Sequence, residues 1–315
     1  MIGLEMNTDN IIKKYKTFIR TGNIISAIVA LLIILLPGNL LSIPFAFIFY
    51  LIAIKVITTL AVNNVIFPVL KQNADPEAFS QILEKMKVCT ANATEHIISS
   101  YLLGDYNKTI NICNEKIKDP SQQRYAHIYY TYLARCYFDI GDEQQLKTVC
   151  KQFEQMTNSV KNGKELRQKC TLMRFYNLYL DNDYEACKEI YKKILNSKDF
   201  GDDLLSEIQT KYTYAVACFH TNDFQTAKEI FSYITECAPK FNYAKLSRAY
   251  LESIETAEPL KKESITLEEC GFSSLPDFKG KKNTAKIILY TGLFISLLIV
   301  VIFTITQTDM SFKLF

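Results

Sequence analysis

Two kinds of pattern divide the chain. From Thr21 to Leu70 the residues are apolar with one charge, Lys55, and Ile287–Gln307 carries no charge at all. Between these runs, apolar residues recur three and four positions apart with polar residues between them, which predicts a series of amphipathic helices. A helix needs roughly 20 apolar residues to cross a bilayer core, and both runs are long enough. As one helix the first run would measure about 75 Å, at roughly 1.5 Å per residue, so it must fold back. Pro37-Gly38-Asn39, with Pro44 following, supplies the turn. The expectation is a membrane hairpin over 21–70, with legs at roughly 20–36 and 44–66, and a last transmembrane helix at 284–307 before a short tail, 308–315.

Charge orients these segments. Lys13, Lys14, Lys16 and Arg20 precede the first leg, within a basic N-terminus over 1–20, and Lys279, Lys281, Lys282 and Lys286 precede the last span. By the positive-inside rule both clusters are cytoplasmic, which makes the chain a multi-pass membrane protein with its body, 71–255, in the cytoplasm. The first leg starts too far along, and lacks the small-residue cleavage site, to read as a signal peptide. Nine cysteines, all in the body and none in a C-x-x-C pair, fit a reducing compartment better than a disulfide framework. Lys71–Asn283 holds 29 Lys/Arg against 30 Asp/Glu, a near-neutral balance that excludes an electrostatic footprint for nucleic acid. Lys55 would fall near the middle of a full second span, where a charge is costly and marks function. In a shallower re-entrant hairpin, at roughly 24–54, it would instead snorkel to the headgroups.

Within the body one outline recurs: "LGDYNKTINIC" (Leu103–Cys113), "IGDEQQLKTVC" (Ile140–Cys150), "DNDYEACKEIY" (Asp181–Tyr191) and "TNDFQTAKEIF" (Thr221–Phe231). The aspartates Asp105, Asp142, Asp183 and Asp223 are 37, 41 and 40 residues apart, a period that marks a helical-repeat array. Gly104, Gly141, Asn182 and Asn222 suit the left-handed residue that ends a helix, and each Asp can cap the next one. Pro76 opens a leading helix with Phe79, Ile82, Leu83 and Met86 on one stripe. After Pro239, Leu246, Tyr250 and Ile254 mark a terminal helix that covers the end of the stack. Residues 256–283, with Pro259, Gly271, Pro276 and Gly280, read as a linker.

These residues resemble the tetratricopeptide repeat family. Tyr130, Leu133, Ala134, Tyr137, Gly141 and Asp142 match the first half of its pattern, and Phe224, Ala227, Phe231 and Pro239 the second. Tyr184, Cys187 and Tyr191 follow it in the third repeat, and Gly104-Asp105-Tyr106 with Pro120 in the first. The match covers roughly 90–240, with spacings longer than the family's usual 34 residues. It implies an all-α fold, a TPR-like α-solenoid of about four helical hairpins flanked by the membrane helices, with first helices lining a concave groove. Groove residues implied by the frame are Tyr132, Arg135, Phe138, Met173, Tyr176, Tyr179, Tyr212, Phe219 and His220. One column, Tyr101, Phe138, Tyr179 and Phe219, is aromatic in every repeat, and either faces a partner or packs adjacent helices. The carboxylate clamp of chaperone-binding relatives is not reproduced, because the Arg135 column continues as Tyr176 and Val216.

Chemistry is sparse. His96, His127 and His220 stand in separate repeats, without zinc-site spacing. No phosphate-binding loop, dinucleotide fingerprint or nucleophile elbow occurs. Cys113, Cys150, Cys187 and Cys218 occupy packing positions of the frame. The sequence therefore predicts no enzyme, cofactor, metal or small-molecule substrate. It predicts a membrane-anchored adaptor whose groove takes an apolar or amphipathic segment of another protein, beside its contact with the bilayer. The alternative is a regulatory or sensing subunit of a membrane transport or assembly complex, working through the hairpin and Lys55.

Overall fold

A computed structural model describes residues 8–35, 42–86, 93–157, 164–196, 203–257 and 260. The expected last span and tail lie outside the described residues, as does nearly all of the linker. Every regular element among the described residues is helical. These residues divide into a larger unit, 8–17 with 60–260, and a smaller one, 18–59.

The smaller unit is a pair of helices. α1 runs Thr8–Leu35 and α2 Ser42–Ala61, and the helical stretches Thr8–Leu35 and Ile43–Lys71 are long and apolar enough to cross a membrane. Their large side chains point outward: Ile28, Leu32, Phe45 and Phe47 are exposed, while Ser26 and Ala46 are buried. Small residues let the legs approach closely where both lie among apolar side chains. At Gly22 the approach is tightest, since a Cβ there would lie 2.6 Å from Ile57 Cγ2. That contact sets the register. Lys55 precedes Ile57 by two residues, about 3 Å along the helix toward the turn, so it lies close to the level of Gly22. It is exposed.

The larger unit begins earlier than the sequence pattern suggests. Ile11, Ile12 and Tyr15 of α1 pack against its core, and Asp9 pairs with Lys85 at 2.9 Å. At the other end of the hairpin, Val62, Ile66, Val69 and Leu70, assigned by hydropathy to the membrane, are core residues of this unit. They belong to a π-helical turn, Val62–Ile66, and the short α3, Pro68–Lys71. An apolar run buried in protein reads the same as one buried in lipid, so the boundary could not be found by hydropathy.

The rest is a succession of hairpins. α4 spans Pro76–Met86 and α5 Thr94–Leu102, followed by α6 (Tyr106–Lys118), α7 (Ala126–Ile140) and α8 (Glu143–Thr157). Then come α9 (Lys164–Leu180), α10 (Tyr184–Leu195), α11 (Leu204–His220), α12 (Phe224–Cys237) and α13 (Asn242–Thr256). All four repeated turns have one geometry. Gly104, Gly141, Asn182 and Asn222 have φ of 78°, 80°, 58° and 59°. The next residue's N–H reaches back to the carbonyls of Ser100, Tyr137, Leu178 and Cys218, at 2.9 Å each time. This six-to-one bond satisfies a carbonyl the helix end would leave open. The same Asp then turns its carboxylate forward and accepts from the N–H of Lys108, Gln145, Ala186 or Thr226. One residue thus closes one helix and opens the next.

Stacking places α5 against α7, α7 against α9, and α11 against α13. The stack also closes: α13 touches α5, and α3 touches α11. Lys240, just before α13, pairs with Asp75 at 2.6 Å, and Lys71 lies 3.8 Å from Asp203. The terminal helix buries Tyr243, Ser247 and Tyr250, while Leu246 and Ile254 from the expected stripe are only partly buried.

Candidate functional site

The expected groove begins on α7, whose sequence "TYLARCYFDI" places Arg135 and Asp139 one turn apart in an otherwise apolar stretch. Asp139 is buried, and its carboxylate accepts from the hydroxyl of Tyr101 at 2.7 Å and of Tyr106 at 3.5 Å. Arg135 donates to the Tyr243 hydroxyl and, at 3.3 Å, to Gln209 Oε1. Its guanidinium also lies 5.9 Å from the ring centre of Tyr101 and 5.8 Å from that of Tyr132, within reach of a cation–π attraction. The rings of Tyr101 and Tyr243 meet edge to face at 5.8 Å. Five helices, α5, α6, α7, α11 and α13, therefore contribute to one polar network where a solenoid would be open. Burial pushes the Tyr132 phenol up to about 12 and that of Tyr106 higher still, so near neutral pH these hydroxyls stay protonated and act as donors.

Of the nine expected groove residues, Phe138, Met173, Tyr176, Tyr179 and Tyr212 are buried, whereas Tyr132, Arg135, Phe219 and His220 keep partial exposure. The buried five do not line an open channel. Phe138 packs on Tyr176 at 5.0 Å and Tyr179 at 4.9 Å, and Tyr212 packs on Tyr243 at 5.0 Å. For Tyr212 the cover is α13, through Tyr243 and Tyr250, whereas Phe138, Tyr176 and Tyr179 are covered by one another and by Phe175. In the aromatic column Tyr101, Phe138 and Tyr179 are buried, and only Phe219 is partly exposed. These residues pack between helices, and their carbonyls accept the turn N–H of Gly104, Gly141, Asn182 and Asn222.

Of the partly exposed four, Tyr132 and Arg135 belong to the central network, while Phe219 and His220 lie at the turn end of α11. The His220 ring stacks on Tyr184 at 4.6 Å and 19°, and its Nε2 lies 3.2 Å from the Tyr179 hydroxyl. Phe219 meets His220 at 5.3 Å and Phe224 at 5.6 Å, and Phe224 is 42% exposed. Phe224, Leu103 and Leu60, at the unit's edge, are the large apolar side chains of the larger unit that stand exposed among the described residues. Sequence reasoning named Phe219 and His220 but missed Tyr184 and Phe224 as surface, because it assigned them to packing. It also missed Asp139, Gln209 and Tyr243; the charged pair inside an apolar helix was the available signal for the first.

No family model, curated protein or solved structure matches the chain. The geometry alone must carry the functional reading. Among the described residues no three metal-binding side chains gather. Cys113, Cys136, Cys150, Cys187 and Cys218 are buried, and Cys237 is exposed. Burial pushes the Cys150 and Cys187 thiols up to about 12, which leaves them poor nucleophiles that behave as small apolar groups.

Proposed function

We propose that this chain is a membrane-anchored scaffold: a tetratricopeptide-like cytoplasmic body on a multi-pass anchor, holding an amphipathic segment of another protein without catalysing a reaction. The observation that supports it is the aromatic rim of Phe219, His220, Tyr184 and Phe224, still open to solvent where Phe138, Met173, Tyr176, Tyr179 and Tyr212 are buried. Aromatic side chains with a polar edge dominate binding energy at protein interfaces, and two of these already hold each other in place by stacking. The partner's segment lies across this rim, along the turns of the last two hairpins, and does not enter the centre of the stack. The regulatory-subunit reading relied on Lys55 acting within the bilayer; its level beside Gly22 supports that reading less than it supports anchoring.

A photoreactive phenylalanine at position 224, in the full chain in its native membrane, tests the rim. We expect one discrete adduct that disappears with His220→Asp, and none from the same probe at Lys151 on α8. Equal adducts at both positions, or none at 224, overturn the rim assignment. For topology, the exposed Cys237 serves as probe once Cys89 and Cys270 are replaced by serine. An impermeant maleimide should label it only after permeabilisation, and labelling of intact cells would reverse the placement.

A further inference from the structure

The aromatic rim of the larger unit is graded along its length. Phe224 and Phe219 meet at 5.6 Å and make an apolar end, His220 follows, and Tyr184 stacks on His220 at the other end. Around Tyr184 the charge has one sign. The stretch "DNDYE", Asp181–Glu185, holds three acids and no cation. All three acids are exposed, as is Glu143 at the start of α8. Burial raises the Tyr184 phenol and the charge of Glu143 raises it further, which places that carboxylate beside the same ring. Asp183 caps α10 through the Ala186 N–H and keeps its charge. Glu143, Asp181 and Glu185 make no ion pair among the described residues. Lys188 and Lys228, on the helices that follow these turns, are taken by Asp223 at 2.6 Å and Glu255 at 3.1 Å.

From this arrangement we infer that the partner's segment is basic as well as amphipathic: its apolar face lies on Phe219 and Phe224, and its Lys or Arg side chains reach Glu143, Asp181 and Glu185. The inference rests on the rim reading proposed above and names the chemistry of its partner. Potentials across an interface are complementary, and an acidic segment laid here would set like charges against each other. A neutral one would cover the three carboxylates and offer them nothing in return. A long basic side chain suits the place twice. Its methylene stem packs on aromatic surface while the charged head stays at the edge. The head is then drawn by the ring face and by the carboxylates together. The gradient also orients the segment, with apolar residues toward the fourth hairpin and basic ones toward the third.

Two biotinylated peptides test this on the full chain in phosphatidylcholine nanodiscs, with the photoreactive phenylalanine at position 224. One is a short amphipathic helix of Leu and Lys, and the other has Glu in place of every Lys. We expect the Leu/Lys peptide to give at least about fivefold more adduct, a difference that shrinks as salt rises. Glu143→Gln, Asp181→Asn and Glu185→Gln together should cut its yield at least about threefold. The same loss of charge elsewhere on the unit, through Glu84→Gln, Glu115→Gln and Glu154→Gln, should leave the yield in place. An equal drop in the two triple variants, or an unchanged yield in the first, overturns the inference. Equal adducts from both peptides keep the rim and overturn the inference alone. No adduct at 224 from either peptide overturns the rim reading, and the inference falls with it.

Discussion

The two units solve opposite packing problems with the same element. Every large apolar side chain left exposed among the described residues lies between Phe18 and Leu60, except Leu103 and Phe224. In the hairpin the bulky groups face out and Gly22, Ser26 and Ala46 face in. In the larger unit Tyr, Phe and Leu face in, around the charges of Arg135 and Asp139. Helix contacts in the hairpin depend on what is small enough to let backbones approach. In the larger unit they depend on apolar area removed from water and on buried hydrogen bonds such as those to Asp139. Four substitutions press on this contrast.

The largest effect should come from Asp139→Ala. The Tyr101 and Tyr106 hydroxyls would lose their acceptor in a buried site, and a loss of about 3 kcal/mol is expected. Thermal melts of the detergent-solubilised chain followed by circular dichroism would reveal it. A loss under about 0.5 kcal/mol would mean the centre is wet and the stack open. Next is Gly22→Leu, which forces a side chain against Ile57 and should cost about 2 kcal/mol in the hairpin while leaving the melt of the larger unit in place. Spin labels at Thr21 and Thr58 should move apart in that variant; an unchanged distance breaks the register on which the placement of Lys55 depends.

Asp142→Ala removes one cap and should cost about 1 kcal/mol, with Asp142→Asn recovering most of it. An equal loss in both variants would show that charge, rather than the hydrogen bond to Gln145, sustains the turn. The smallest effect concerns Asp223, whose carboxyl is held below its usual 3.8 by a 2.6 Å hydrogen bond from Lys188. Lys188 is in turn raised above 10.5 by the same bond. A depressed acid contributes stability above its unfolded value and loses it as pH falls through the folded one; the raised lysine loses its share as pH climbs past 10.5. The pair should therefore help across pH 4–10 by less than about 1 kcal/mol, given its partial exposure. Asp223→Asn should flatten the acid limb of the stability profile; an unaltered limb would rule the pair out as a contributor.

The four turns were legible because their chemistry is local: three consecutive residues fix the left-handed position, the back-bond and the forward cap. The buried cysteines were legible for the same reason, through their positions in the repeat. The closed centre was not, because it depends on Tyr243 meeting Arg135 and Tyr101 across more than a hundred residues, and nothing near Tyr243 announces those neighbours. Tyr132, Arg135, Phe219 and His220 lie on α7 and α11 with partial exposure; what local pattern left out was the mutual packing that buries the other five. The level of Lys55 was hidden likewise, since it follows from one contact between two legs and not from position within either.

The turns have a further consequence for how such a chain can change length. Because one aspartate ends the first helix and begins the second, the turn has no slack. An inserted residue would separate the back-bond from the cap and rotate the following helix by about 100°. The differences among the spacings of 37, 41 and 40 residues therefore arise elsewhere, in the helices and in the connections between one hairpin and the next. The connection at 119–125 is itself ordered, a 3-10 turn over Pro120–Tyr125 that buries Gln122 against the Tyr129 hydroxyl. The turn aspartates count out the architecture.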